Sequence, residues 1–374
     1  MKYSWKILFA ALMLAMVIGC ASSDDDENSS TSINKTEVIA KLVQDMVYVE
    51  GGRFTMGGTK EQGNLPWKRE LPTHQVKLSP YYIGKYPVTE ELWTAVMGTN
   101  PSADSYEGGA NYPVNNVSWN DCQTFINKLN AETGLTFRLP TEAEWEFAAR
   151  GGINSKGYRY AGGKNIDNVG WYGENSEKKR HPVGQKQGNE LGLYDMSGNV
   201  WEWCNNTAYT YPESDDYLLN PTSTDTDTAK VLRGGGYSSE GDWCRVSFRH
   251  WDNSSKSYPN VGLRLVRTDG ITYLLLSRDY LIFEELGSTD NVKIAGSGSY
   301  TASSSDENIA TAKISGSTMT VTAVGYGTTA ITVTDKSTER TAYVEIYVNE
   351  SGGGDSGDDE DPIGDKPVEG EVAD

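Results

Sequence analysis

The residues best placed to do chemistry lie between Gly192 and Arg267. Asp195 and Glu202 are two carboxylates flanking the turn Ser197-Gly198-Asn199. Calcium accepts roughly six to eight oxygens, mixing carboxylates with backbone carbonyls that a turn can aim at one point. The plainer use of the same pair is to hold loop amides. Gly234-Gly235-Gly236 follows, a triplet that lets backbone approach a neighbour closely because no Cβ stands in the way. Cys244 lies beyond it in an Arg- and Trp-rich surround.

The segment Ser238–Pro259 offers a second kind of chemistry, that of recognition. It carries Trp243, Arg245, Arg249, His250, Trp251, Asn253 and Tyr258. Trp, Tyr and Arg dominate the hot spots of binding surfaces. Aromatic rings beside Asn and Asp also suit sugar rings. The competing reading is that part of the segment, Val246, Phe248 and Trp251 among them, packs inside.

These side chains need a scaffold. Met46–Val49 and Arg53–Met56 read as a strand pair turning at Gly51-Gly52, followed by strands at Gln75–Leu78 and Tyr81–Tyr86. Thr89 caps a helix over Glu90–Met97 that stops at Gly98. Ser118-Trp119-Asn120-Asp121 and Thr141-Glu142-Ala143-Glu144 are capping boxes opening two further helices. Behind the first, Cys122, Phe125, Ile126 and Leu129 recur at helical spacing, so Cys122 reads as core. Gly157–Glu190 has little periodicity and reads as a long ordered loop. From Ile271 to Val348, Cys and Trp vanish and short alternating strands follow one another, the pattern of a small β-sandwich.

Of the 374 residues, Met1–Cys20 is a targeting segment, with Lys2 and Lys6 ahead of an apolar run that ends at Gly19-Cys20. The net charge of −19 is concentrated in the flanks. Four acids stand at Asp24–Glu27, and ten in residues 350–374 face only Lys366. The charge describes solvated ends and argues against nucleic acid, which demands clustered Lys and Arg. Residues 21–44 are expected to form a disordered acidic tether and 349–374 a disordered tail.

Four stretches together resemble the formylglycine-generating enzyme, or sulfatase-modifying factor, family. They are Met46–Gly57, Arg138–Glu146, Gly192–Trp203, and Arg233-Gly234-Gly235 leading to Gly262–Val266. The resemblance covers residues 45–268 and implies an irregular α+β fold related to C-type lectins. Residues 271–348 resemble a bacterial Ig-like group 2 domain, giving a second, all-β unit. Gly19-Cys20 resembles the processing site of bacterial lipoproteins, which implies lipid on Cys20, and the acidic run after it resembles the surface-export signal of Bacteroidetes lipoproteins, which implies an outer-membrane, surface-facing location.

The family resemblance implies calcium ligands at Asp195, Gly198, Val200 and Glu202, the middle two through backbone oxygen, and a second site using Asn175. It also implies a Cu(I) centre made of two cysteine thiolates, which oxidises a substrate cysteine to formylglycine with O₂. The matching positions are Ser239 and Cys244, with Trp201 and Asn260 lining the site. A serine hydroxyl is a hard, protonated donor that suits Cu(I) poorly. Cys204 is an alternative second thiol, and Cys204–Cys244 is alternatively a disulfide. A related class of iron enzymes uses three histidines; the chain has only His74, His181 and His250, widely spaced. The expected function is therefore a calcium-stabilised, catalytically degenerate module that binds protein or glycan at the cell surface. The alternative is a copper-dependent formylglycine-generating oxidase.

Overall fold

The computed structural model describes residues 34–350 apart from 64–66, 103–107, 215 and 224–227. The lipidation residue Cys20 and the acidic tail therefore lie outside the described residues. Three sheets and several short helices build the first domain. Strands β1 (Met46–Val49), β4 (Tyr81–Gly84), β5 (Phe137–Arg138) and β11 (Val266–Arg267) form one sheet in the order β1-β4-β11-β5. A second joins β2 (Gly52–Met56), β3 (His74–Leu78) and β7 (Leu218–Leu219). The third has the order β10-β6-β8-β9, from β6 (Trp201–Thr207), β8 (Ala229–Arg233), β9 (Arg249–Asn253) and β10 (Val261–Leu263).

Two expectations fail here. Gly51-Gly52 does not close a hairpin. β1 pairs with β4 and β2 with β3, so the glycines mark the point where the chain passes from one sheet to another. Gly51 allows that passage because a Cβ there would fall 2.2 Å from the Leu78 carbonyl oxygen. The tether is also shorter than expected. Residues Lys35–Gln44 form helix α1, whose Val38, Ile39, Leu42 and Val43 pack against the core.

The remaining helices start and stop where their capping residues dictate. Helix α2 (Glu90–Met97) receives Thr89 as its cap and ends at Gly98 with φ 82°. In α3 (Trp119–Thr133), Ser118 Oγ accepts from Asp121 N at 3.1 Å, and the Asp121 carboxylate accepts from Ser118 N at 2.9 Å. Cys122, Phe125, Ile126 and Leu129 are its buried face. Helix α4 (Glu142–Ala149) is different, because all eight of its residues are buried. Its carboxylates must be neutralised in place, since an unpaired buried charge is prohibitively costly.

Residues after 269 form a two-sheet sandwich, β12-β14-β17-β16 against β13-β19-β18-β15, enclosing a core that includes Val292, Met319, Val321, Ile331 and Val344. Here β12 is Leu275–Leu276, β13 Tyr280–Phe283, β14 Thr289–Ala295, β15 Tyr300–Ser304, β16 Ala310–Ser315, β17 Thr318–Ala323, β18 Gly327–Asp335 and β19 Thr341–Val348. Lys77 Nζ reaches from the first domain to the Leu276 carbonyl at 3.0 Å and Asp279 at 3.3 Å.

Candidate functional site: an aromatic groove over buried ion pairs

A groove of about 340 Å³ opens above the β10-β6-β8-β9 sheet. Leu232, Val261 and Trp201 come from that sheet and lie at its base, with His250 and Asp252 on β9. Phe248 stands at the centre. Trp67 meets it edge-on at 5.7 Å between ring centroids, and Trp243 stacks on it at 6.0 Å and 16°. Trp67 is 45% exposed and Trp243 36%, so both present ring faces to solvent. Tyr258 and Asn260 complete the rim.

The two walls are clasped by one carboxylate. Glu70 is buried and accepts from both terminal nitrogens of Arg245, at 2.8 and 3.0 Å, and from Ser247 Oγ at 2.6 Å. It also accepts from Trp67 N at 2.7 Å, which fixes the turn that carries Trp67 and Arg69. Beneath lies a second cluster. Arg249 holds Glu142 through Nε and Nη2, both at 2.7 Å, and Arg233 Nε is 3.2 Å from the same carboxylate. Arg233 also pairs with Glu146, and its Nη1 donates to the Val246 and Phe248 carbonyls at 3.1 and 2.7 Å. Those last bonds hold the backbone on which Phe248 is mounted.

Arg245 and Arg249 are therefore not ligand contacts, as the sequence led one to expect. They are 2% and 1% exposed and spend their charge on Glu70 and Glu142. Trp243, His250 and Tyr258 do line the groove. Trp251 is exposed beside it, under Arg69. Asn253 turns away to Thr228 and to Ser255. Trp67, Arg69 and Asp252 were missed. A lone Trp67 amid charged neighbours was the available signal.

The thiols do not assemble a copper centre. Cys204 and Cys244 are free and buried in separate parts of the core, so the disulfide alternative fails too. Burial pushes both thiols well above their ordinary range, as befits side chains packed in the core. Ser239 Oγ accepts from Gly236 N at 2.9 Å and is 2% exposed. Gly235, at φ 73°, lies so close to Cys244 that a Cβ would stand 2.5 Å from Sγ. The close approach implied by the glycine triplet is thus made to Cys244. These residues do not fit Cu(I).

The carboxylates expected to hold calcium already have partners in the fold. Glu202 is fully buried and accepts from Arg264 Nη2 at 2.8 Å, Arg264 Nε at 3.0 Å and Trp145 Nε1 at 2.7 Å. A guanidinium already supplies the cation that this carboxylate needs. Asp195 accepts from Gly184 N at 2.8 Å and Asn199 Nδ2 at 3.2 Å, and burial pushes its carboxyl up to about 6. Gly198 and Val200 are buried in the turn into β6, with Gly198 at φ 103°. Asn175 closes its own loop, accepting from Tyr172 N and donating to the Gly170 carbonyl. Among the described residues no group of three or more His, Cys, Asp or Glu side chains converges as a metal shell. His74 lies against Tyr211 and His181 against Trp171, so the histidines do not form an iron site.

Fold and site together define an irregular α+β domain that mounts an exposed aromatic groove on a frame of buried ion pairs. Residues 32–269 match the sulfatase-modifying factor enzyme 1-like domain, and the chain belongs to that family. It is 31% identical over 307 residues to the chaperone protein LppX of Paenibacillus barcinonensis, covering 69% of this chain and 97% of that protein. It is 29% identical to the formylglycine-generating enzyme of Streptomyces coelicolor, covering 60% of this chain and 90% of the enzyme. Among solved structures, Treponema denticola variable protein 1 superposes with a TM-score of 0.53 at 30% identity, covering 59% of this chain and 94% of that one.

Proposed function

We propose that the first domain is a binding module that grips an extended segment of another protein in the Trp67–Trp243 groove, without chemistry. The observation that carries this reading is the pairing of an open aromatic groove with a Cys244 fully buried in the core and a Ser239 already committed to Gly236. A relative named as a chaperone fits a role in which a partner's apolar segment is held and released unchanged. The polar rim of His250, Asp252 and Asn260 also suits a glycan, which is the second occupant to test. The chain is taken to be anchored through lipid on Cys20 and to face outward from the outer membrane, with the β-sandwich as an Ig-like spacer.

The test is Cu(I) titration of the purified chain against a chromogenic chelator, followed by incubation with a cysteine peptide and O₂. Neither tight copper binding nor formylglycine is expected. Native Cys122, Cys204 and Cys244 should resist iodoacetamide until the chain is unfolded. Stoichiometric copper binding with peptide oxidation would replace this reading with the oxidase one. The Ser239→Cys variant shows whether restoring one donor is enough.

A further inference from the structure

We infer that Arg69 receives a carboxylate of the bound peptide, with a neighbouring apolar side chain of that peptide seated against the rings of Trp67 and Trp243. This deepens the reading above and rests on it.

Arg69 is an exception among the arginines of the first domain. Arg53, Arg138, Arg150, Arg159, Arg180, Arg233, Arg245, Arg249 and Arg264 each have a carboxylate within salt-bridge distance. Arg267 lies over Tyr82 and donates to the Asp269 carbonyl. Arg69, which lines the groove, has no carboxylate partner among the described residues.

It is nonetheless held in place. Its guanidinium lies 4.9 Å from the Trp251 ring centroid and 5.5 Å from that of Trp67. Nη1 donates to the Arg249 carbonyl at 3.3 Å and lies 3.2 Å from His250 Nδ1. Both contacts use Nη1, so the donors on Nη2 and Nε remain for a ligand. A guanidinium pre-oriented by aromatic faces, with part of its fork unspent, matches a carboxylate in geometry and charge.

The acid that shares the groove does not satisfy it. Asp252 accepts from Tyr258 Oη and from Asn253 N, each at 2.7 Å. The half-exposed rings of Trp67 and Trp243 offer apolar surface beside Arg69. A ligand with an apolar group next to an acid uses both features, and a peptide supplies that combination in one residue pair. A neutral glycan would stack on the rings but leave the unspent donors of Arg69 without an anion.

The experiment selects binders to the full chain from a random phage-displayed peptide library. Chosen sequences are then measured as labelled synthetic peptides by fluorescence anisotropy. Selected peptides should carry Asp or Glu beside an aromatic or aliphatic residue. Arg69→Gln should weaken them at least about tenfold, the scale of a lost charge-assisted hydrogen bond. Changing the peptide's acid to its amide should cost as much on the wild type and nothing further on Arg69→Gln. That coupling is a readout that damage to the fold would not reproduce.

If the acid-to-amide change is silent while Trp243→Ala abolishes binding, the carboxylate inference is overturned and the groove reading stands. If Trp67→Ala and Trp243→Ala both leave binding unchanged, the groove reading itself fails. A library that yields no binders, while acidic oligosaccharides bind, overturns the peptide assignment.

Discussion

Glu142→Gln is the sharpest test of how the groove is supported. Gln keeps the shape of Glu142 and removes only its charge. In the wild type two carboxylates, Glu142 and Glu146, face three guanidinia, those of Arg150, Arg233 and Arg249. Glu142 alone serves Arg249 through two 2.7 Å bonds and stands 3.2 Å from Arg233 Nε. Without its charge, Arg249 and Arg233 are left close together at 1% and 0% exposure with one anion fewer. Breaking a buried pair of this kind costs about 3–5 kcal/mol. For a domain of this size each kcal/mol lowers Tm by roughly 2–4 °C, so a fall of about 6–20 °C is expected. The assay is thermal melting followed by Trp fluorescence. It isolates the first domain because every Trp of the chain precedes residue 271. Glu142→Leu combined with Arg249→Met removes both charges and should melt well above Glu142→Gln. A drop smaller than about 2 °C would refute the claim that this network holds the domain together.

Three further outcomes follow from the geometry. Gly235→Ala places a Cβ 2.5 Å from Cys244 Sγ at a φ of 73°, and should destabilise by about 2 kcal/mol or more in urea unfolding. Adding Cys244→Ala should recover only the part due to the sulfur contact. Calcium and EDTA should each leave Tm within about a degree, because Glu202 is already paired with Arg264 and a ligand that gains no carboxylate on folding gives little linkage stabilisation. In the sandwich, burial works to raise the Asp335 carboxyl, but bonds from Ser297, Ser337 and Thr338 hold it down to about 2, against 3.8 unfolded. Its contribution is therefore complete above pH 3.8 and lost as pH falls through about 2. Melts followed by circular dichroism should show Asp335→Asn flattening that acid limb.

What the sequence displayed openly was short-range. The Thr89, Ser118 and Thr141 caps act over three residues, and each stands where its spacing said it would. The helical period of Cys122, Phe125, Ile126 and Leu129 translated directly into a buried face. Long-range pairing was not displayed. Whether Gly51-Gly52 closes a hairpin or passes the chain between sheets depends on β3 and β4, not on the turn itself. Strands β13 and β15 are hard to read from the sequence for a related reason. Tyr280 and Ile282 are exposed apolar residues that blur alternation, and Tyr300–Ser304 is mostly polar. The site was half legible. Trp243, His250 and Tyr258 were correctly grouped. Arg245 and Arg249 looked like surface hot spots because their partners are distant, Glu70 at 175 residues and Glu142 at 107.

That misreading points to how the groove divides its labour. The side chains that hold it, Glu70, Glu142, Arg233, Arg245 and Arg249, are all buried, and each makes several bonds that a substitution would break. The rings that wall the groove, Trp67 and Trp243, are each more than a third exposed and hang from that frame without carrying it. Removing a ring that is 36% exposed gives up part of its burial but leaves every buried charge paired, so Trp243→Ala should lower Tm less than Glu142→Gln does. The same change removes an aromatic wall of the groove, where one ring can govern recognition. Stability and binding should thus weight different residues, with frame variants lowering Tm the most and ring variants lowering affinity out of proportion to their effect on Tm. A Trp243→Ala chain that unfolded as readily as Glu142→Gln would show that the ring belongs to the frame, and the groove would then be a packing defect, not a site.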